Sequence, residues 1–339
     1  MSSKLEANAA FEASFRGLLC RQRVVPTPLP ANLRTTNLTA IVTGGNGGIG
    51  LAACRQLLEL GLAHLIMAVR SQAKGDAAAI ELRKAFPDAQ ISVWILDMES
   101  YDSIRTFAEK CASLPRVDIT ILNAGVMPAT SMKSAGTGHD LVVQVDYLST
   151  VFLAMMLVPV LRSQRAAGAG ASKPPVLSIV GSDMAYSHTL KTKGPILAQF
   201  DDPKSFGQMP TYANAKMLLM MFVAKLAELV KPEELLINLC NPGMTKGTSL
   251  GHDSPMIAKK IFGVAQHFLA RTPEVGASCY INAVLSQGPE SHGSFVSDWS
   301  IKPFVPLMYT EAGRELQVRL IDETMDELRP AGATLPEML

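Results

Sequence analysis

Thr43-Gly44-Gly45-Asn46-Gly47-Gly48-Ile49-Gly50 is the stretch that decides the fold. Residues 39–42 before it are a short β-rich run, and residues 51–60 after it carry apolar side chains at helical spacing. A strand that enters a glycine loop and leaves as a helix opens an α/β series. Glycine allows the sharp turn and lets the backbone approach a pyrophosphate without a Cβ clash. The following helix presents free N–H groups and a partial positive charge to that anion. The loop alone would equally suit a tight turn that binds nothing, so its meaning depends on what surrounds it.

Outward from the loop, residues 64–69, 91–96, 118–122, 176–181 and 235–239 read as further strands. Residues 75–85, 100–112, 138–161 and 212–230 read as helices between them. Each strand is a continuous apolar run rather than an alternation, which indicates a parallel sheet covered on both faces. The expected fold is α/β: a single Rossmann-like, doubly wound parallel sheet with helices on both faces and its ligand outside the carboxyl ends of the strands. Residues 1–36 read as an irregular N-terminal arm, because Pro26, Pro28 and Pro30 would interrupt a helix. Residues 11–25 could also be read as a membrane-surface helix, with a loosely packed arm preferred. The domain then spans 37–330, and 331–339 is a tail.

The chain of 339 residues is 48% hydrophobic, ample for one large core, and its 31 basic and 30 acidic residues leave a formal charge of +1. That balance points to no nucleic acid partner. Cys20, Cys54, Cys111, Cys240 and Cys279 are odd in number and contain no CxxC pair, so neither a disulfide framework nor a metal site is expected. Reduced thiols, no basic-then-apolar leader and no run of ~18 apolar residues give a cytoplasmic protein with no integral membrane segment as the expectation.

The second strand ends at Arg70-Ser71, with Lys74 close behind. An acidic residue there would bind the adenosine ribose hydroxyls and favour NAD, whereas a guanidinium pairs with a 2′-phosphate and favours NADP(H). Arg70 would otherwise be an ordinary solvated charge. Asp97 would accept from the adenine amino group, Met98 would pack beside the ring, and Asn123-Ala124-Gly125 would pass the nicotinamide ribose. Tyr212 and Lys216 stand at i and i+4, on one helical face. A phenol titrates near ~10, too high for neutral acid–base work, and a neighbouring cation lowers that value. Ser182, just after a strand, would hydrogen-bond the substrate oxygen, though alone it would suit a helix cap equally well.

In this order Thr43, Gly44, Gly48 and Gly50, the Asn123-Ala124-Gly125 motif, Ser182, Tyr212 with Lys216, and Asn241-Pro242-Gly243 resemble the short-chain dehydrogenase/reductase family over roughly residues 39–328. The likeness is closer to the retinol-dehydrogenase-like branch of filamentous fungi, through residues 21–30, 100–103, 114–118 and 310–328. The resemblance implies hydride transfer between NADP(H) and a carbonyl/alcohol pair of an apolar small molecule in specialised metabolism. It places Gly44, Asn46, Gly48, Ile49 and Gly50 on the cofactor phosphates, and Pro242, Gly243, Met244 and Thr245 along the nicotinamide. It also implies homodimers paired through 138–161 and 212–230. Two departures stand out. Asp146 occupies the position where the family has an asparagine of the proton relay, so it is expected either to pair with Lys216 or to weaken the relay. Thirty positions separate Ser182 from Tyr212, so 186–210 is expected as an excursion beside the pocket, able to act as a lid. Residues 244–261 form the second candidate wall, with 295–308 as a further contributor, and His188 reads as a surface histidine. The competing readings are a non-redox isomerase, cyclase or dehydratase on this scaffold, and an NADP(H) sensor without turnover.

Overall fold

The computed structural model describes residues 1–166, 173–246 and 270–336. The apolar runs become β1 (Thr39–Thr43), β2 (His64–Val69), β3 (Gln90–Ile95), β4 (Ile119–Leu122), β5 (Val176–Val180) and β6 (Leu236–Asn241). A hairpin, β7 (Phe295–Ser297) and β8 (Ser300–Lys302), completes a sheet ordered β3-β2-β1-β4-β5-β6-β7-β8. All neighbours pair in parallel except β7 with β8. Every residue of β1, β4, β5 and β6 is buried, which is why these strands show no polar alternation in sequence.

Helices α3 (Gly48–Glu59), α4 (Gln72–Ala85), α5 (Tyr101–Ala112), α6 (Leu141–Ala166), α7 (Gln208–Glu228), α8 (Pro273–Leu285) and α9 (Glu311–Leu328) cover the sheet. Ser71, Ser100, Thr272 and Thr310 cap the starts of α4, α5, α8 and α9 by accepting a backbone N–H. Apolar side chains gather in two cores, one containing Phe107, Tyr147, Phe152 and Phe222, the other Leu57, Leu65, Met67 and Tyr280. This is the doubly wound α/β architecture expected from the sequence.

Helix α6 is long and apolar enough to cross a bilayer, but 94% of its most apolar window is buried within the protein. It begins at Leu141, not 138, where the Asp140 carboxylate accepts the Val142 N–H at 3.0 Å, and it widens into a π turn over Gln144–Ser149. Within this chain α6 and α7 each contact α9. Tyr147 Oη meets Thr324 Oγ1 at 2.5 Å, and Gln317 Nε2 donates to the Met221 carbonyl at 2.7 Å.

Two segments differ from the sequence reading. The arm is not irregular: it forms α1 (Glu6–Glu12) and α2 (Phe15–Gln22), and it ends before the prolines as their chemistry requires. Nor is it loosely packed, since Ser2, Glu12 and Arg21 are buried against the rest of the chain. The 186–210 excursion is fastened to α9 instead of standing over a pocket. Glu323 accepts the N–H groups of Ile196 (2.9 and 2.8 Å) and Leu197 (3.0 Å), while Arg319 donates to the carbonyls of Gly194 and Thr192. Ile196, Leu197 and Phe200 join the core. Glu323→Ala leaves two backbone donors without their acceptor and is expected to lower stability by about 1–3 kcal/mol. An unchanged urea midpoint would show that Glu323 does not fasten the excursion.

Candidate active site

The carboxyl ends of β1, β4, β5 and β6 open on one side of the sheet, around a cleft of about 420 Å³. The glycine loop crosses its floor. Gly44 adopts φ +67°, and a Cβ on Gly50 would stand 2.5 Å from the Gly44 carbonyl oxygen and 2.6 Å from Asn123 Nδ2. Only glycine fits at these two positions. Asn46, Gly48 and Ile49 line the same floor. Gly47 begins α3 with no side-chain cap, so the first N–H groups of that helix remain available to an anion.

At the β2 end, Arg70, Ser71 and Lys74 line the cleft where α4 starts. Arg70 is exposed and meets Glu99 Oε1 at 3.1 Å, and Ser71 Oγ accepts the Lys74 N–H at 3.4 Å. An exposed ion pair of this kind contributes little and is easily exchanged. Asp97 and Met98 lie beside this corner, with Asp97 Oδ1 accepting the Glu99 N–H at 3.0 Å. Asn123, Ala124 and Gly125 form the middle of the cleft. Thr43 Oγ1 accepts the N–H groups of Asn123 (2.8 Å) and Ala124 (2.9 Å), which fixes the end of β4 to the end of β1.

At the β5 end, Ser182, Tyr212, Lys216 and Asp146 come together. Ser182 follows β5 and takes the capping part anticipated for it. Its Oγ caps a short 3-10 turn by accepting the Met184 N–H at 3.1 Å, and Ser182 lines the same cleft as Tyr212. Lys216 is buried, with Nζ donating to the Val180 carbonyl at 3.1 Å and lying 5.5 Å from the Tyr212 ring centroid. Its nearest carboxylate is Asp146, whose Oδ2 is 3.9 Å away. Asp146 is wholly buried in the π turn. Its Oδ1 accepts the Val126 N–H at 2.8 Å, and its Oδ2 has no hydrogen-bond partner among the described residues.

This charge arrangement departs from the sequence expectation for Tyr212. Burial pushes the phenol above its ordinary value, the Asp146 carboxylate adds to that push, and the Ser182 hydroxyl opposes it. The Lys216 ammonium meanwhile lies 3.9 Å from Asp146 and donates to Val180. Burial also raises the Asp146 carboxyl to about 6, with Lys216 and the Val126 N–H holding it from rising further.

Pro242, Gly243 and Thr245 line the cleft beyond β6, whereas Met244 does not line it. Residues 247–261 of the expected second wall lie outside the described residues. Among the described residues, 186–210 and 295–308 contribute no cleft lining. His188 is half-buried and stands away from the cleft. Tyr280, which sequence reading missed, lines the cleft from α8 and hydrogen-bonds Asn123 Oδ1 at 3.2 Å. It lies in an apolar helical run with no local signal of a site.

Residues 38–169 match the short chain dehydrogenase family. The chain is 49% identical to the short chain dehydrogenase virL of Hypocrea virens over 98% of this chain and 97% of that protein. It is 40% identical to the short chain dehydrogenase/reductase mfmJ of Annulohypoxylon moriforme over 90% and 88%. Among solved structures it is similar in fold to the Pseudomonas aeruginosa RhlG/NADP active-site complex (TM-score 0.58, 22% identity, 78% of this chain and 95% of that chain). Levodione reductase is similar to the same degree (TM-score 0.59, 17% identity, 78% and 96%). The ordered motifs, the doubly wound sheet and near full-length identity to fungal relatives agree, and the chain belongs to the short-chain dehydrogenase/reductase family of oxidoreductases.

Proposed function

We propose that this chain is an NADP(H)-dependent reductase of ketones or aldehydes (or the reverse alcohol dehydrogenase) acting on an apolar small molecule of specialised metabolism in the cytoplasm. The observation that carries the reading is one cleft with an anion-ready corner of Arg70, Ser71 and Lys74 at its β2 end and Ser182, Tyr212 and Lys216 at its β5 end. Val126 and Tyr280 give the reacting end an apolar wall. Free, buried Cys54, Cys111, Cys240 and Cys279 suit a reducing compartment.

The residues present fit a nicotinamide dinucleotide. The glycine floor admits no Cβ at Gly50, and the open start of α3 suits a pyrophosphate. Arg70, Ser71 and Lys74 would hold a 2′-phosphate, Asp97 and Met98 the adenine, and Asn123, Ala124, Gly125 and Lys216 the nicotinamide ribose. Pro242, Gly243 and Thr245 would line the nicotinamide, which supplies or accepts the hydride when bound. Ser182 donates a hydrogen bond to the carbonyl oxygen of the substrate and fixes its position. Tyr212 gives its phenolic proton to the oxygen as negative charge develops there, and takes it back in the reverse direction. The raised phenol keeps the proton it must donate, at the cost of being a weaker acid. Lys216 and Asp146 form the route by which Tyr212 recovers a proton.

Three measurements test this reading. Tyr212→Phe is expected to slow NADPH oxidation with apolar ketones and aldehydes by about 10²–10⁴-fold while leaving NADPH affinity intact; binding without turnover in both proteins would turn the reading toward non-redox chemistry or sensing. Arg70→Ala is expected to weaken NADPH binding roughly ten- to a hundredfold, with NADH little changed. Equal loss for both nucleotides would remove Arg70 from discrimination. In alcohol oxidation the rise in rate with pH follows Tyr212 deprotonation. The Asp146 carboxylate raises that phenol, so Asp146→Asn is expected to move the rise to lower pH and to erase any inflection near pH 6, where Asp146 itself titrates. A profile identical to the parent's would exclude Asp146 from the route.

A further inference from the structure

Arg21 is a buried arginine from a helix that precedes the first strand, and it lies outside the residues that match the family. Its guanidinium points at the active-site loop. Nε donates to Asp183 Oδ2 at 3.3 Å, and Asp183 is the residue after Ser182. The other edge meets Glu12 Oε2 at 2.9 Å, and Glu12 in turn pairs with Lys302 at 2.9 Å. The guanidinium carbon stacks 5.1 Å over the Tyr186 ring, and Tyr186 Oη donates to the Pro303 carbonyl at 2.6 Å. The Arg21 backbone carbonyl accepts from Arg271 at 2.8 Å. Arg271 also donates to the Pro242 carbonyl at 3.0 Å and pairs with Asp298 at 2.6 Å. One buried network therefore joins the N-terminal helices to both sides of the reacting end.

We propose that Arg21 is a positioning residue: by holding Asp183 it fixes the turn that presents the Ser182 hydroxyl, and by its carbonyl it braces the Arg271–Pro242 support. The inference rests on the reading of Ser182 as the group that orients the substrate oxygen. Six charged side chains make the network, with Glu12, Asp183 and Asp298 balanced by Arg21, Arg271 and Lys302. Burial pushes the Asp183 carboxyl up, and Arg21 is the largest influence opposing it. Without Arg21, Asp183 is left as a buried carboxylate short of its counter-charge, and the 183–187 turn relieves it by swinging toward water. That motion carries Ser182 with it. Removal of the negative charge from Asp183 in the same chain should then release the strain, which a general loss of packing at α2 would not do.

The test uses full-length protein as Arg21→Met, Arg21→Lys, Asp183→Asn and the double Arg21→Met/Asp183→Asn, with Tyr212→Phe as control. NADPH affinity is read by fluorescence, kcat and KM with 9,10-phenanthrenequinone as carbonyl probe, and backbone exchange by deuterium uptake. Arg21→Met is expected to speed exchange over 183–187 relative to β1 and to lower kcat roughly ten- to a hundredfold, with NADPH affinity nearly unchanged. The double variant is expected to recover most of the kcat, and Arg21→Lys part of it. Unchanged exchange over 183–187 in Arg21→Met overturns the proposal, whatever the probe does. Losses in every variant that merely follow thermal stability, with no recovery in the double, also overturn it. If Tyr212→Phe still reduces the probe, the reading of the reaction fails instead, and the exchange arm alone decides the role of Arg21.

Discussion

Thr43, the last residue of β1, accepts two N–H groups from the turn after β4, and Asn123 Nδ2 returns a bond to the Thr43 carbonyl at 2.8 Å. These bonds tie the two strands together at the point where the sheet order reverses, between β1 leading toward β3 and β4 leading toward β8. Everything at the cleft is placed by that junction. The glycine loop leaves from one side of it and Gly125 from the other, and a Cβ on Gly125 would stand 2.9 Å from Asp146 Oδ1. A crevice forms at such a reversal because the flanking helices diverge to opposite faces of the sheet. Tyr280 closes the junction from above through its bond to Asn123.

Around this fixed centre the charges are few and deeply placed. Lys216 and Asp146 face one another at 3.9 Å with almost no solvent contact, so their interaction is little screened. The Asp146 carboxylate also opposes ionisation of the Tyr212 phenol. The π turn that contains Asp146 brings this carboxylate inward, at the cost of regular helical hydrogen bonding, a device found often at functional sites. The second charged cluster, around Arg21 and Arg271, lies behind the serine and the Pro242–Gly243 turn and has an equal number of positive and negative groups.

The excursion and the C-terminal helix give the fold its individual character. In a parallel sheet covered by helices, α6 and α7 must bury their outer faces against something. Here α9 contacts both helices, and Glu323 and Arg319 on it also hold the excursion through backbone groups. Length between Ser182 and Tyr212 therefore went into the scaffold rather than into the cleft.

The amino-acid sequence by itself determined the strands, the helix faces, the glycine loop and the order of the motifs. Each of these is local: a run of apolar residues, a spacing of four, or a glycine where a side chain would clash. Arg70, Ser182, Tyr212 and Lys216 meet at the carboxyl edge because β-α units fix which end of each strand faces the cleft. Tertiary structure decided what spacing cannot carry. Arg21 and Glu12 look like solvated charges in a proline-bounded segment, and only their partners at positions 183 and 302 make them buried. Tyr280 reads as one more core residue of an apolar helix until Asn123, 157 positions earlier, is brought to its hydroxyl. The push of Asp146 on the Tyr212 phenol is tertiary for the same reason: an electrostatic influence is set by all charges nearby in space, and Asp146 stands on a different element.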